Sequence, residues 1–308
     1  MSTTVSILIP CYNAERWIGQ AIESALSQTW PQCELLVVDD GSTDASVSVV
    51  KSFGTRVRLE RSNHAGGNAA RNRLLDRASG EWVQYLDADD YLLPEKVARD
   101  MEFLALTRCD GVCSPVILRD EQTGKETPFP FEEPLDLTYQ YIRWGRIQTS
   151  GLLLRRHALK DAGGWKEDQP CCQEHEMLLR MMLAGKQIAL HNQPGVVYRQ
   201  HGTGTVSRKD PLRTIRERMA LTDRLAAHLE SAGRMSPLYR RALFTARLES
   251  ARSAYRQDAD FAVRIAGRAA ATGVRWVEPT PGLPYSYQLA RCLLGFQNAE
   301  RLASFRRG

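Results

Sequence analysis

The sequence predicts an α/β protein, a doubly wound and mostly parallel sheet followed by a helical C-terminal region. Three observations lead there. Short apolar runs alternate with helical periodicity through roughly the first 90 residues, the pattern of right-handed βαβ units. Each apolar run ends in polar residues, as strands do where a crevice opens beyond their carboxyl ends. Beyond residue 207 the periodicity is helical.

Val5-Ser6-Ile7-Leu8-Ile9-Pro10 is a short apolar run closed by proline, the pattern of a buried parallel strand. Residues 14–28 place Ile18, Ile22, Ala25 and Leu26 on one helical face. Glu34 to Val38 is a second strand and ends in the turn cluster Asp39-Asp40-Gly41-Ser42-Thr43-Asp44. Residues 44–53 read as a helix, 57–60 as a third strand, 67–78 as a third helix and 82–86 as a fourth strand. The strand ends carry Tyr12-Asn13, Asp39-Asp40, Asn63-His64 and Asp87, and the topology turns all of them to one crevice. From Leu93-Pro94 a helix runs to about Leu106. Asp110 to Ile117 reads as one strand, 119–136 as a polar mobile loop, 149–154 as a strand, 174–183 as a helix and 196–199 as a last strand. Helices are expected at about 211–231, 237–256 and 259–272, and near 286–303 after Pro279, Pro281 and Pro284. The expected domains are 1–207 and 208–308.

Composition narrows the class. No run of about 18 apolar residues exists, which excludes a membrane-spanning helix. The N-terminus reads as a strand, not a signal peptide. The seven cysteines are odd in number and match no zinc spacing, so free thiols in a reducing cytoplasm are expected. The net charge of +5 hides an asymmetry: residues 208–308 carry 19 Lys and Arg against 9 Asp and Glu. Such a region can contact an anionic membrane or acidic glycans, or be an ordinary solvated helical face. The basic residues accompany no nucleic-acid-binding motif, so no nucleic acid is expected as a partner.

The chemistry concentrates in Tyr85-Leu86-Asp87-Ala88-Asp89-Asp90-Tyr91. Three carboxylates this close repel one another. A divalent cation gives a reason to gather them, since Mg²⁺ and Mn²⁺ prefer carboxylate oxygens and substrate phosphates. An acidic turn before a helix is the plainer reading. Asn68, Arg71 and Asn72 share a helix face, and a guanidinium matches phosphate bidentately.

Taken together, VSILIPCYNAERWIGQAIESALSQTW, LLVVDDGSTD and GGNAARNRLLDRASGEWVQYLDADD resemble the family-2 glycosyltransferases of GT-A fold, over roughly residues 4–207. The resemblance implies an inverting transferase that moves a sugar, by family habit a hexose from a UDP-sugar, to a glycan or lipid-linked acceptor in cell-surface polysaccharide or glycolipid synthesis. It implies that Pro10, Tyr12 and Glu15 frame the base and that Asp40 accepts from the base N3–H. It places Asn68 and Arg71 on the donor, Asp87 on ribose or donor sugar, and Asp89 with His201 on a Mn²⁺ or Mg²⁺ ion. Aligned on Arg180, Glu174 takes the position of the catalytic base, with Gln173 where the family has Glu; a register shifted by two would make Glu176 the base. Gly202-Thr203-Gly204 is expected to form a lid, and the protein to work in the cytoplasm at the inner membrane face. A sugar nucleotidyltransferase remains an alternative, but Cys11-Tyr12-Asn13-Ala14-Glu15 is not the Gly-rich phosphate loop it needs. A non-catalytic nucleotide-sugar or glycan-binding protein is the other.

Overall fold

The computed structural model describes residues 3–201 and 210–305; the expected lid at Gly202-Thr203-Gly204 and the expected boundary at 207 lie outside them. The chain divides into two compact units, Met1–Leu137 with Arg146–Thr203, and Thr138–Gly145 with Gly204–Gly308.

In the first unit, β1 (Val5–Cys11), α1 (Ile18–Leu26), β2 (Cys33–Asp39), α2 (Ser46–Ser52), β3 (Arg58–Arg61), α3 (Gly67–Arg77) and β4 (Trp82–Tyr85) alternate as the pattern predicts. Strand β1 is central and apolar on both faces, with Val5, Ile7, Leu8 and Ile9 fully buried. Full burial of one such side chain stabilises by about 1.5–3 kcal/mol. Helix α1 covers one face with Ile18, Ala21, Ile22 and Ala25. The pairings Leu8 with Tyr85 and Cys11 with Asp39 bring the carboxyl ends of β1, β2 and β4 to one edge.

The later elements are β5 (Tyr91–Leu92), α4 (Lys96–Thr107), β6 (Gly111–Cys113), β7 (Val116–Asp120), β8 (Glu126–Phe129), α5 (Leu137–Arg143), β9 (Leu152–Arg155), α6 (Arg156–Asp161), α7 (Gln173–Leu183), β10 (Ile188–Leu190) and β11 (Val196–Gln200). The main sheet has the order β10-β6-β9-β4-β1-β2-β3, and a smaller sheet runs β5-β11-β7-β8. All main-sheet pairs are parallel except those of β9, which is antiparallel to β4 and β6.

Two expectations are corrected. The single strand expected over Asp110–Ile117 is two strands in two sheets. The break falls at Ser114-Pro115, where proline has no ladder donor and Ser114 N donates to Gly151 O at 3.0 Å. The mobile loop expected over 119–136 contains the β7–β8 hairpin. Asp120 makes its turn: Oδ1 accepts from Gln122 N and Thr123 N at 2.8 and 2.9 Å, and Gly124 takes the left-handed conformation at φ 69°.

The edge of the sheet opposite the crevice is locked by Glu34. Its carboxylate accepts from Ser79 N at 2.7 Å, Gly80 N at 3.2 Å and the Ser6 hydroxyl. Gly80 is required there, since a Cβ would lie 2.8 Å from both Ser6 N and Thr4 O.

The second unit is helical. It comprises α5 and α8 (Pro211–Ser231), α9 (Pro237–Ala254), α10 (Ala259–Ala270) and α11 (Tyr285–Phe305), the last interrupted at Gly295. Asp210, Ser236 and Asp258 cap α8, α9 and α10, each accepting a backbone N–H three residues on. Trp144 Nε1 donates to Thr222 at 3.0 Å and Arg143 pairs with Glu249 at 3.2 Å, which groups the 138–145 segment with these helices. No described helix is long and apolar enough to cross a membrane.

Burial raises the Glu34 carboxyl pKa, but its three hydrogen bonds outweigh that and hold it below the ordinary value. A carboxylate depressed on folding stabilises above its unfolded pKa and loses that stabilisation as pH falls through the folded one. Urea unfolding of wild type and Glu34→Gln is therefore expected to differ most above about pH 4.3, with the gap closing at lower pH. A gap that widens on acidification would contradict this.

Candidate active site

The acidic turn follows β4. Its first carboxylate, Asp87, is anchored by its backbone: Asp87 N donates to Ser150 Oγ at 3.1 Å, and Asp90 N to Asp87 O at 3.0 Å. Asp90 does not cap a helix. It is fully buried, accepting from Ser150 Oγ at 2.9 Å and from Arg199 N at 3.1 Å. Burial, reinforced by the charges of Asp89 and Asp87, pushes its pKa well above the ordinary carboxylate range. Arg199 closes the turn from the other side. Its Nη1 donates to Asp89 O at 2.9 Å, its Nε to Glu121 at 2.9 Å and its Nη2 to Gln20. Its guanidinium lies 4.7 Å over Trp17 and 4.8 Å over Tyr91. Below Ser150, whose carbonyl accepts from Gln84 Nε2 at 2.8 Å, Gln84 accepts from Lys96. Lys96 pairs with Asp100 at 2.7 Å and Asp100 with His191 at 2.9 Å, a buried polar chain under the turn.

Arg71 and Asn68 face inward from α3. Arg71 Nη2 pairs with Asp87 at 2.7 Å, while Nη1 donates to Asn68 Oδ1 at 3.1 Å and Gln173 Oε1 at 3.3 Å. The guanidinium lies 4.8 Å over the Trp165 ring, and its Nε is buried without a hydrogen-bond partner. Asn68 Nδ2 donates to Lys166 O at 2.7 Å, tying α3 to the loop before α7. Burial raises the Asp87 pKa, Arg71 offsets only part of this, and Asp89 adds to it.

Helix α7 contributes two carboxylates from its first turn, with different surroundings. Glu176 is buried and accepts from Arg180 Nε at 3.1 and 2.9 Å through its two oxygens. Arg180 also donates to the carbonyls of Ala162 and Gly164, so this pair joins α7 to the preceding loop. Glu174 keeps a quarter of its side chain exposed and meets His175 Nδ1 at 3.0 Å. Burial raises its pKa, but His175, the helix backbone and Arg71 outweigh it and hold the carboxyl below its ordinary value. Glu174 and Asp87 interact electrostatically, which places them in one field.

Asp89 Oδ2 and His201 Nε2 stand 2.8 Å apart, with the imidazole stacked on Trp17 at 5.9 Å. Adjacent donors on an octahedral ion with bonds of about 2.1 Å lie about 3 Å apart, so this oxygen–nitrogen pair suits a divalent cation. Among the described residues no group of three or more His, Cys, Asp or Glu side chains is arranged for a metal. A cation held by this pair would therefore complete its shell with water and ligand phosphate oxygens.

At the ends of β1 and β2, Tyr12 is 47% exposed and stacks on His64, ring centres 4.2 Å apart. Asp40 is buried and holds the segment before α3, accepting from Ala65 N at 2.8 Å and Gly66 N at 2.9 Å and pairing with His64 at 2.9 Å. The carboxylate oxygen left without a partner at this end is Asp39 Oδ1. Pro10 is half-buried on β1. Glu15 accepts from Ala45 N at 2.8 Å, at the start of α2.

The structure thus brings Asn68, Arg71, Asp87 and Glu174 together; Asp89 is on the same turn as Asp87, and His201, just after β11, meets Asp89. Tyr12 and Asp40 meet through His64, and Glu15 turns to α2. Sequence reasoning missed Ser150 and the clamp formed by Asp90 and Arg199, and it placed His64 at the crevice without its partners Tyr12 and Asp40. Tyr198, within the last expected strand, received no role. Burial and the neighbouring carboxylates Asp90, Asp87, Asp89 and Glu174 raise the Tyr198 pKa. Its place in Tyr198-Arg199-Gln200-His201 was the available signal; Ser150 carried none.

The family model described as glycosyl transferase family 2 matches residues 6–162. An uncharacterised glycosyltransferase of Haemophilus influenzae is 36% identical over 104 residues, 32% of this chain and 42% of that protein, so the match spans less than half of that relative. The Escherichia coli UDP-Glc:alpha-D-GlcNAc-diphosphoundecaprenol beta-1,3-glucosyltransferase WfaP is 29% identical over 194 residues, 51% of this chain and 75% of that one. S. aureus TarS, solved with UDP-GlcNAc, superposes with a TM-score of 0.68 at 19% identity, covering 99% of this chain and 92% of that one; this likeness is one of fold, the GT-A type. With its alternating first half, its Asp-x-Asp turn outside β4 and a family match over half its length, the chain belongs to glycosyl transferase family 2.

Proposed function

We propose that the protein transfers a hexose, with inversion, from a UDP-sugar to a glycan or lipid-linked acceptor of cell-surface polysaccharide. The observation that carries this reading is the convergence of Asp87, Asp89, Arg71 and Glu174 at the carboxyl edge of the sheet, where α/β folds bind ligands. Like charges are concentrated there around one buried arginine, which suits a site completed by a cation and a diphosphate. WfaP, by its name a UDP-glucose-dependent enzyme acting on a diphosphoundecaprenol acceptor, supports the donor and acceptor classes. In this reading the protein works in the cytoplasm at the inner membrane face.

Each residue then has a task. Tyr12 offers its exposed ring to the base, beside Pro10, with Glu15 bracing the loop that frames it. Asp40 accepts from the base N3–H with the lone pair left on Oδ1, since Gly66 N and His64 take Oδ2, and Asp39 Oδ1 is a second acceptor at the same end. Asp87 contacts ribose or donor sugar, aimed by Arg71, which Asn68 and Gln173 hold in place. Asp89 and His201 would hold Mn²⁺ or Mg²⁺, which would supply positive charge to the departing diphosphate. Glu174, ionised by virtue of its lowered pKa, takes the proton of the acceptor hydroxyl as the hydroxyl attacks the anomeric carbon. Glu176 is occupied by Arg180, and Glu174 is the base on that ground.

Calorimetric titration of UDP is expected to show Mn²⁺-dependent binding in wild type and its loss in Asp89→Ala. Metal-independent binding that survives the substitution would overturn the cation assignment. Glu174→Gln should bind UDP normally while transfer falls by about 10²–10⁴-fold. The acidic limb of kcat should lie below the usual glutamate value of about 4.3, since the base is lost only as pH falls through its depressed pKa. A Glu174→Gln enzyme of wild-type activity would remove that residue from the mechanism.

A further inference from the structure

The C-terminal unit carries an apolar face that its own packing does not use. Helix α11 turns Tyr287, Gln288, Ala299 and Glu300 inward. Gln288 fixes its rotation: Nε2 donates to Val277 O at 3.1 Å and Leu283 O at 2.9 Å, and Oε1 accepts from Val277 N at 3.1 Å. The opposite side of the helix before Gly295 is formed by Tyr285, Leu289, Cys292 and Leu293, at the i, i+4, i+7, i+8 spacing of one face. Tyr285 is 61% exposed, Leu289 52% and Leu293 73%. Trp276, 45% exposed, is carried on a segment that α11 holds, since Val277 is bonded to Gln288 and Arg275 O to Arg291 Nη2 at 2.6 Å.

The charges around the face are basic. Arg275 and Arg301 are exposed, and Arg291 donates through Nη2 to the Arg275 carbonyl. The acidic residues of the 275–301 segment are Glu278 and Glu300, and Glu300 is buried against Arg252 at 2.9 Å. The wider region 208–308 is also basic, with 19 Lys and Arg against 9 Asp and Glu. A short helix with outward Leu and aromatic side chains rimmed by arginines is the chemistry of an interfacial anchor on anionic lipid. A second copy of the chain fits less well, because a two-fold contact through this face would set the same arginines against each other.

We infer that the Tyr285, Leu289, Cys292 and Leu293 face of α11, with Trp276, docks on the surface of a bilayer containing anionic lipids. The inference goes beyond the transfer reading and does not depend on the donor. It supplies a physical means of bringing the protein to lipid-linked acceptors.

The test is co-sedimentation of the full chain with vesicles of phosphatidylcholine alone and of phosphatidylcholine mixed with phosphatidylglycerol. The expected result is partitioning onto the mixed vesicles that weakens with added salt. Leu289→Glu with Leu293→Glu should lower it by about 100-fold or more. Both sites are exposed, so the thermal midpoint and UDP binding of the double variant should match wild type. Three results would overturn the inference: wild type that ignores the mixed vesicles, a double variant that still partitions like wild type, or a wild-type dimer that the double substitution splits. Absent UDP binding with intact, face-dependent vesicle binding would sink the transferase reading and leave the docking face standing.

Discussion

The grip of Ser150 and Arg199 on the acidic turn is the constraint on which the site depends. Three carboxylates within four residues do not stay together unaided. One of them, Asp90, is removed from solvent and from the charge balance, its pKa pushed up by burial while it accepts from Ser150 and from Arg199 N. Arg199 then ties the Asp89 carbonyl to Glu121 and Gln20 and is itself held between Trp17 and Tyr91. What remains at the surface of the turn is two carboxylates, Asp87 and Asp89, separated in role because each has a different partner. Asp87 faces Arg71 and Asp89 faces His201.

The same economy runs underneath. Ser150 is positioned from below by Gln84, and Gln84 by Lys96, whose ion pair with Asp100 lies in the core. Removing one partner of such a buried pair costs about 3–5 kcal/mol, because the other charge is left uncompensated. A lysine on α4 is thus part of the foundation of a turn that follows β4, although it touches none of the residues that would meet a ligand.

Much of the first unit was legible because its physics is local. Apolar runs with helical spacers read directly as β1 to β4, and the topology alone turned their ends to one edge. The Ser114-Pro115 break escaped because an apolar run says nothing about which sheet each half joins; it took a backbone hydrogen bond to Gly151, far along the chain, to divide it. The β7–β8 hairpin escaped because its polar residues lack the apolar alternation that marks a half-buried strand. At the site, residue types at the strand ends could be read, but partners could not. The resemblance, aligned on Arg180, pointed to Glu174 over Glu176 but could not show their partners, whereas the structure gives Glu176 to Arg180 and leaves Glu174 partly exposed beside His175. Ser150 is one hydroxyl among many until the fold puts it against Asp87 and Asp90.

The Gln173 amide oxygen accepts from the same guanidinium that holds Asp87. Arg71 is therefore a shared support for the acidic turn and for the head of α7. A ligand contact that drew Asp87 away would change what the guanidinium gives to Gln173, the neighbour of Glu174, and linkage would make any such coupling equal in both directions. The neutral amide makes this link softer than a carboxylate would, since it competes weakly for the charge. One guanidinium thus ties the acidic turn to the head of α7, and whether residue 173 is an amide or a carboxylate sets how strongly it competes for that charge.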